Sequence, residues 1–276
     1  MVKEYIKPVS LEAALGILEA KPGSALLAGG TFLLAGYLRG AGPTSPAKAT
    51  PETVLDIGPL LPRLVKSEAG RLFIGAGVSF QELAEAAAAP VQLRAAALTM
   101  ANRNTRNRAT VGGNLGANKS CASLVPLFLA TGATVAVQRK GEKQTEMPLS
   151  DWLADPKGIV LTVSFPVIAD RLAATLHSSR TACDVATSTA AVVYRLEGGT
   201  IRGLRVALGG FGHHARRWPE IEARFEGKSL PSKAEIEKEA AVFLCVLGDQ
   251  RGSIDYKRLR GAALLADTLH AAEVMA

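Results

Sequence analysis

Two stretches of the sequence place a threonine near two adjacent glycines and could hold a phosphate group. "RNRATVGGNLGAN" runs from Arg106 to Asn118, and "LLAGGTFLL" covers residues 26–34. Adjacent glycines let a ligand approach the backbone closely, while Thr and Asn side chains, backbone N–H groups and nearby Arg favour an anion. Taken alone, the first stretch is more typical of a tight turn, because glycine turns are common in α/β chains.

The two stretches together point to a larger ligand than a single phosphate. Neither has the glycine spacing of a Rossmann fingerprint or of a P-loop. One glycine-rich loop could hold one phosphate, whereas two loops from distant parts of the chain could hold the two halves of a pyrophosphate. The pair therefore predicts a dinucleotide site between two small α/β lobes.

The composition is that of an ordinary soluble globular protein with room for two domains. The chain has 276 residues, of which 48% are hydrophobic and 21% are charged. It contains no apolar run long enough for a membrane span, and its N-terminus lacks the features of a signal peptide, so we expect a cytoplasmic protein. The cysteines Cys121, Cys183 and Cys245 form no CxxC pair and predict neither a disulfide framework nor a metal or iron–sulfur site.

The formal charge of +7 is spread along the chain, with basic clusters at residues 103–108 and 213–217. Aromatic residues make up only 5% and do not alternate with basic ones, so we expect no nucleic-acid partner. The charge favours anionic small molecules or an acidic partner surface. The second basic cluster, which contains His213, His214, Arg216 and Arg217, could face a partner, although a solvated loop is the simpler interpretation.

Strands and helices alternate up to Pro166, which is an α/β pattern. Ser10 is predicted to cap a helix that ends near Ala20, and a strand, a turn at Gly29–Gly30 and a helix from near Thr31 follow. The further elements predicted are a strand ending near Asp56; a strand, a Gly75–Gly77 turn and an Ala-rich helix within residues 70–89; a helix within 92–102; a helix, a break at Gly132 and a strand within 122–138; and a strand that Pro166 ends.

The pattern changes after Pro166. Apolar residues alternate around Gly198–Gly199, which predicts a β-hairpin. The capping box Ser232-x-x-Glu235 predicts a helix to about Leu247, and a last helix covers about Asp255 to Glu273. A hairpin followed by helices indicates a separate α+β unit, with a boundary near residues 166–175.

In the order and spacing of several stretches, the chain resembles the FAD-binding (medium) subunit of the molybdenum hydroxylases, the group of xanthine dehydrogenase and aerobic carbon monoxide dehydrogenase. The matching stretches are "LLAGGTFLL", "VLDIGPL", "GRLFIGAGVSFQELA", "RNRATVGGNLGAN", "LVPLFLATGATVAV", "VSFP", "ALGGFG" and "RGSIDYKRLRGAALLA". The resemblance implies an α+β fold. A two-lobed FAD-binding domain of the vanillyl-alcohol-oxidase (PCMH) type would span residues 1–168. A smaller α+β C-terminal domain like that of CO dehydrogenase flavoproteins would span residues 169–276.

The resemblance also implies which residues contact FAD. In the first loop, backbone N–H groups would meet the pyrophosphate; this loop comprises Ala28, Gly29, Gly30, Thr31, Phe32 and Leu33. The second loop would lie near the pyrophosphate and the ribityl chain; it contributes Thr110, Gly112, Gly113 and Asn114. Met100–Ala101 and Val160–Leu161 would lie near the isoalloxazine, although Met100, Val160 and Leu161 could equally be core residues.

The chain departs from the family pattern at three positions. Ser123 takes the place of an Asp that often contacts the ribityl chain, and it keeps a hydroxyl but carries no charge, so we expect a flavin that is easier to reduce. His177 stands where relatives often have a Lys, and it would give a weaker, pH-dependent charge. Cys121 lies within the second loop, where it could touch the edge of the flavin, but it is interpreted as filling space.

The function implied by the resemblance is electron transfer within a multi-subunit enzyme. A molybdopterin-binding large subunit would hydroxylate the substrate, and a small subunit with two [2Fe–2S] clusters would pass the electrons to this FAD. NAD⁺ or another acceptor would receive them from the heterotrimer. We expect no catalytic acid or base and no metal site in this chain. The alternatives are a stand-alone flavin-dependent reductase or oxidase of the same fold superfamily, and a non-catalytic relative that has lost FAD.

Overall fold

A small parallel sheet forms the N-terminal lobe of the computed structural model, which describes residues 2–33, 51–167 and 170–274. Strands β1 (Glu4–Ile6) and β2 (Ala25–Leu27) pair in parallel with the two edges of β3 (Thr53–Asp56). Ser10 caps α1 (Leu11–Ala20), since its Oγ accepts a hydrogen bond from the Ala13 N–H at 3.1 Å. The predicted α1, β2 and β3 are confirmed, and β1 was not predicted. Most of the helix expected from near Thr31 lies outside the described residues.

The second lobe contains a five-stranded antiparallel sheet with the order β4-β5-β8-β6-β7. Its strands are β4 (Val65–Glu68), β5 (Arg71–Gly75), β6 (Thr134–Gln138), β7 (Thr145–Pro148) and β8 (Ile159–Pro166). The α/β pattern predicted up to Pro166 therefore needs correction here. Short connections join β4 to β5 and β6 to β7, and such connections can only join antiparallel strands.

The second lobe also contains short helices. They are α2 (Phe80–Glu85), α3 (Val91–Leu98), α4 (Arg103–Arg108), α5 (Val111–Ala117), α6 (Val125–Thr131) and α7 (Leu149–Ala154). Ser79 and Glu82 form a capping box at the start of α2. This helix ends at Glu85, and the alanine run that was predicted to belong to it forms the turn to α3, whose N-cap is Pro90. Gly132 ends α6 with a φ of 70°, as predicted.

The C-terminal part forms a four-stranded antiparallel sheet with helices on one face. Its strands β9 (Leu172–Ser178), β10 (Ser188–Glu197), β11 (Thr200–Gly209) and β12 (Arg216–Arg217) have the order β12-β11-β10-β9. The predicted hairpin joins β10 to β11, and Gly198 and Gly199 have φ values of 58° and 78°, which a two-residue turn requires. The helices are α8 (Pro219–Phe225), α9 (Lys233–Phe243) and α10 (Ile254–Val274). The capping box of α9 is confirmed, but the helix ends before Leu247, whose N–H donates to Phe211 O at 2.7 Å.

The C-terminal sheet separates two hydrophobic cores. Side chains on one of its faces, such as Val193 and Ala207, join the core of the second lobe. Their neighbours on the other face, such as Val192 and Val206, pack with α8, α9 and α10. The first core therefore receives side chains from both sides of the predicted domain boundary, which falls on residues 168 and 169, outside those described.

Candidate functional site

The two glycine-containing segments meet at Gly29. An ideal Cβ on Gly29 would lie 1.8 Å from the carbonyl oxygen of Arg108 and 2.7 Å from its carbonyl carbon. The Arg108 Nε in turn donates to the carbonyl oxygen of Gly29 at 3.3 Å. Because both close neighbours are backbone atoms, only glycine permits this approach at position 29.

The first loop presents backbone donors beside positive charge. Among the described residues, none accepts a hydrogen bond from the backbone N–H groups of residues 28–32. Phe32 is 41% exposed, and the Lys119 Nζ lies 4.6 Å from the centroid of its ring. Lys119 and Arg108 thus place two cations at a loop whose N–H groups donate to none of the described residues, an arrangement that favours an anion.

The second glycine pair lies in a helix. Thr110 is the N-cap of α5, and its Oγ1 accepts a hydrogen bond from the Gly113 N–H at 3.1 Å. The Gly112 N–H donates to Ala76 O at 2.8 Å, and a Cβ on Gly112 would lie 2.7 Å from the Ala76 Cβ. The N–H groups of both glycines thus donate to acceptors within the protein, and the turn at Ala76 packs against the start of α5.

The chain after α5 folds back over the helix. Asn118 ends α5 in the left-handed conformation, with φ 38° and ψ 47°. The side-chain Oδ1 of Asn114 accepts the Leu124 N–H at 3.3 Å, which places the half-buried Ser123 next to this contact. Residues 118–124 therefore lie against both Asn114 and, through Lys119, the first loop. Cys121 is half-buried within this segment.

A turn before α4 is held by an arginine that the sequence analysis did not single out. Ala101 has a φ of 39°, a conformation that non-glycine residues rarely adopt. The Arg106 Nη1 donates to Ala101 O at 2.9 Å and to Met100 O at 3.2 Å, while its Nε donates to the Gln81 Oε1 at 2.9 Å. In the sequence, the only sign of this role is the position of Arg106 within a basic cluster.

Leu161 lies at a bulge in β8. The register between β6 and β8 shifts so that Leu161 has no partner on β6, and its carbonyl oxygen accepts the Ala76 N–H at 2.7 Å. Ala76 thus connects Leu161 to Gly112. Val160 is 7% exposed and belongs to the core, whereas Leu161 and Met100 are half-buried at the edge of the core.

His177 lies on β9. Its Nε2 lies 3.4 Å from the Ser179 Oγ, and α3 packs against the same strand. Burial lowers the pKa of His177 below its ordinary value of 6.5. Burial therefore favours the neutral imidazole over its charged form.

Three side chains of the basic cluster at residues 213–217 contact other residues of the protein. Arg217 donates through Nε to the Glu222 Oε1 at 3.0 Å, and the Arg216 guanidinium lies 3.7 Å from the centroid of the Trp218 ring. The His214 Nδ1 lies 2.6 Å from Asn118 O. These contacts hold the three side chains to the protein, while His214 and Arg216 remain exposed, as a solvated loop predicts.

Comparison with known proteins places the chain in a family. Residues 1–168 match the family described as the FAD binding domain in molybdopterin dehydrogenase, and residues 173–272 match the CO dehydrogenase flavoprotein C-terminal domain. The chain belongs to the molybdopterin dehydrogenase FAD-binding family. Its predicted α+β fold class, its place among oxidoreductase subunits and its cofactor FAD are thereby confirmed.

Relatives in this family match over nearly their whole length. The uncharacterized protein YgfM of Escherichia coli K12 is 29% identical over 269 residues, which cover 97% of this chain and 95% of YgfM. The carbon monoxide dehydrogenase medium chain of Hydrogenophaga pseudoflava is 27% identical, with 98% and 96% covered. A solved structure of the latter enzyme superposes with a TM-score of 0.86 at 26% identity and covers 100% of this chain and 98% of that one.

The geometry of the first loop fits the cofactor of the family. FAD carries a pyrophosphate, and the loop offers backbone donors, two cations and a glycine that lets the two segments touch. Within the described ranges, no three His, Cys, Asp or Glu side chains converge as metal ligands. In the same ranges, no helix is both long and apolar enough to cross a membrane.

Proposed function

We propose that this chain is the FAD-carrying electron-transfer subunit of a multi-subunit molybdenum hydroxylase. Its membership in the family and its full-length similarity to medium chains of such enzymes support this role. The observation that carries the proposal is the junction at Gly29, where two segments distant in sequence meet beside N–H groups that donate to none of the described residues.

Residues of both segments would hold the cofactor. Residues 28–33 would bind the pyrophosphate through their N–H groups, with Arg108 and Lys119 supplying positive charge. Thr110, Gly112, Gly113, Asn114 and Ser123 would form the neighbouring wall, and the isoalloxazine would lie near Met100, Ala101, Val160, Leu161 and His177.

The protein residues would bind and orient FAD rather than react themselves. Bound FAD supplies the redox chemistry, which is the acceptance and release of electrons. Val160 would support Leu161 from the core side, and Arg106 would hold the backbone of the Met100–Ala101 turn. His177, whose pKa is lowered by burial, would add less positive charge near the ring than a lysine would.

The partners follow from the same proposal. A molybdopterin-binding large subunit would oxidise the substrate, a [2Fe–2S] small subunit would deliver electrons, and NAD⁺ or another acceptor would take them up. The names "medium chain" and "medium subunit" of the relatives support an assembly with chains of other sizes. We further propose residues 1–168 as the FAD-binding domain and residues 169–276 as the C-terminal domain, in a cytoplasmic protein.

The decisive test is an absorption spectrum of the purified chain, with the released cofactor identified by its mass. We expect flavin bands and FAD at about one per chain, without iron. A protein that stays colourless after incubation with FAD would contradict the proposal. Bleaching by NADH in the absence of any other subunit would instead support a stand-alone reductase.

A further inference from the structure

A third glycine pair, in "ALGGFG", packs against the segment that follows α5. The Gly210 N–H donates to Ser120 O at 2.8 Å and to the Ser120 Oγ at 3.1 Å. A Cβ on Gly209 would lie 2.6 Å from Ser120 O. Gly210 has a φ of 96°, and a Cβ there would lie 2.2 Å from Thr187 O. This contact between the C-terminal part and Ser120 therefore requires both glycines.

A buried ion pair holds Gly210 from its other side. The side chain of Lys257 is only 2% exposed, and its Nζ donates to Gly210 O at 2.8 Å and lies 3.0 Å from the Asp249 Oδ2. Burial by itself would raise the pKa of Asp249, but the hydrogen bonds from Lys257 and from the Arg251 N–H hold it below its ordinary value. Since removing two charges from water is costly, packing alone does not account for this pair.

A second anchor lies two residues before Ser120. The His214 Nδ1 lies 2.6 Å from Asn118 O, so it acts as the donor to this carbonyl. The two anchors therefore hold Asn118 and Ser120, the residues on either side of Lys119. Lys119 lies over the ring of Phe32 in the first loop.

We infer that Asp249 and Lys257 are positioning residues for the FAD site. Through Gly210 they hold Ser120, and together with His214 they keep residues 118–120 against the first loop. We call this arrangement of Asp249, Lys257, Gly210 and His214 the latch. The inference rests on the proposed function, because it assumes that FAD lies beside the first loop. On this inference, the C-terminal part contributes to FAD affinity through the backbone of Asn118 and Ser120.

The test is a titration of the cofactor-free full chain with FAD, monitored by flavin fluorescence. We expect Lys257→Met to raise the dissociation constant at least about tenfold, the equivalent of one hydrogen bond. His214→Ala should raise it about threefold, by the loss of part of one such bond. His213→Ala is the matched control, because the neighbouring His213 is also exposed, and it should bind FAD like the wild type.

A second control separates positioning from general destabilisation. Leu265→Ala creates a cavity in the core of the C-terminal part, so it should lower the melting temperature while leaving FAD affinity and the flavin spectrum unchanged. If Lys257→Met fails to fold, the exposed His214 variant carries the test.

Two results would overturn the inference. One is that the wild type binds FAD and the latch variants bind it as tightly as the wild type does. The other is a Leu265→Ala variant that loses as much affinity as Lys257→Met. A wild-type chain that binds no FAD would overturn the proposed function and this inference with it.

Discussion

Replacing Gly29 with alanine should separate the two segments that form the candidate site. The added Cβ would lie 1.8 Å from Arg108 O, whereas an ordinary C···O contact is about 3.3 Å. The segments must therefore move apart by about 1.5 Å, since neither neighbour is a side chain that could rotate away. A shift of this size removes the first loop from hydrogen-bond reach of a pyrophosphate.

The expected loss of affinity follows from the number of donors displaced. Two hydrogen bonds to a charged phosphate contribute about 3 kcal/mol together, which corresponds to a dissociation constant for FAD that is more than about 100-fold higher. The measurement is the ratio of FAD to protein after gel filtration, together with a fluorescence titration. The Cβ of alanine would meet nothing within 4 Å at Gly16 in α1, so Gly16→Ala is the matched control and should retain FAD. A folded Gly29→Ala variant that binds FAD like the wild type would refute the reasoning.

Two further changes test the supports of the site. Arg106→Met removes the donor to Met100 O and Ala101 O. The free energy of unfolding, measured by thermal denaturation, should therefore fall by about 2–4 kcal/mol, and amide hydrogen exchange around Ala101 should accelerate. Unchanged exchange would contradict this role. Because burial lowers the pKa of His177, the unfolded chain binds a proton at a higher pH than the folded one, and the wild type should lose stability as the pH falls below about 6.5. In melting curves between about pH 7.5 and pH 5, the melting temperature of His177→Gln should depend less on pH than that of the wild type. An identical pH dependence would speak against a depressed pKa of His177.

The elements predicted correctly depend on local rules. The cap at Ser10, the hairpin turn at Gly198–Gly199 and the capping box at Ser232 each need only neighbouring residues. The antiparallel second sheet was not predicted, because its central strand β8 pairs with β5 and β6, which lie far earlier in the chain. The early end of α9 is also a tertiary effect, since Leu247 pairs with Phe211 instead of continuing the helix.

The candidate site could be predicted as a set of segments but not as a geometry. Nothing in "RNRATVGGNLGAN" indicates that Arg108 O lies against Gly29, or that Arg106 reaches back to Ala101. The link from Lys257 to Ser120 joins residues more than 130 positions apart in the sequence. The contacts of Gly29 and of Ser120 depend on how distant segments pack, which local patterns do not encode.

The three glycine pairs explain why a pair of adjacent glycines could be interpreted either as a ligand-binding loop or as a tight turn. A glycine is required wherever a backbone is approached closely, and the approaching group can be a ligand or another segment of the same chain. Gly29 accommodates Arg108 O, Gly112 accommodates Ala76, and Gly209 accommodates Ser120 O. All three close approaches are thus made by the protein itself. We propose that the glycines act on FAD indirectly, by bringing the first loop, α5 and residues 118–120 close enough together for the N–H groups of the loop and the cations to face one ligand.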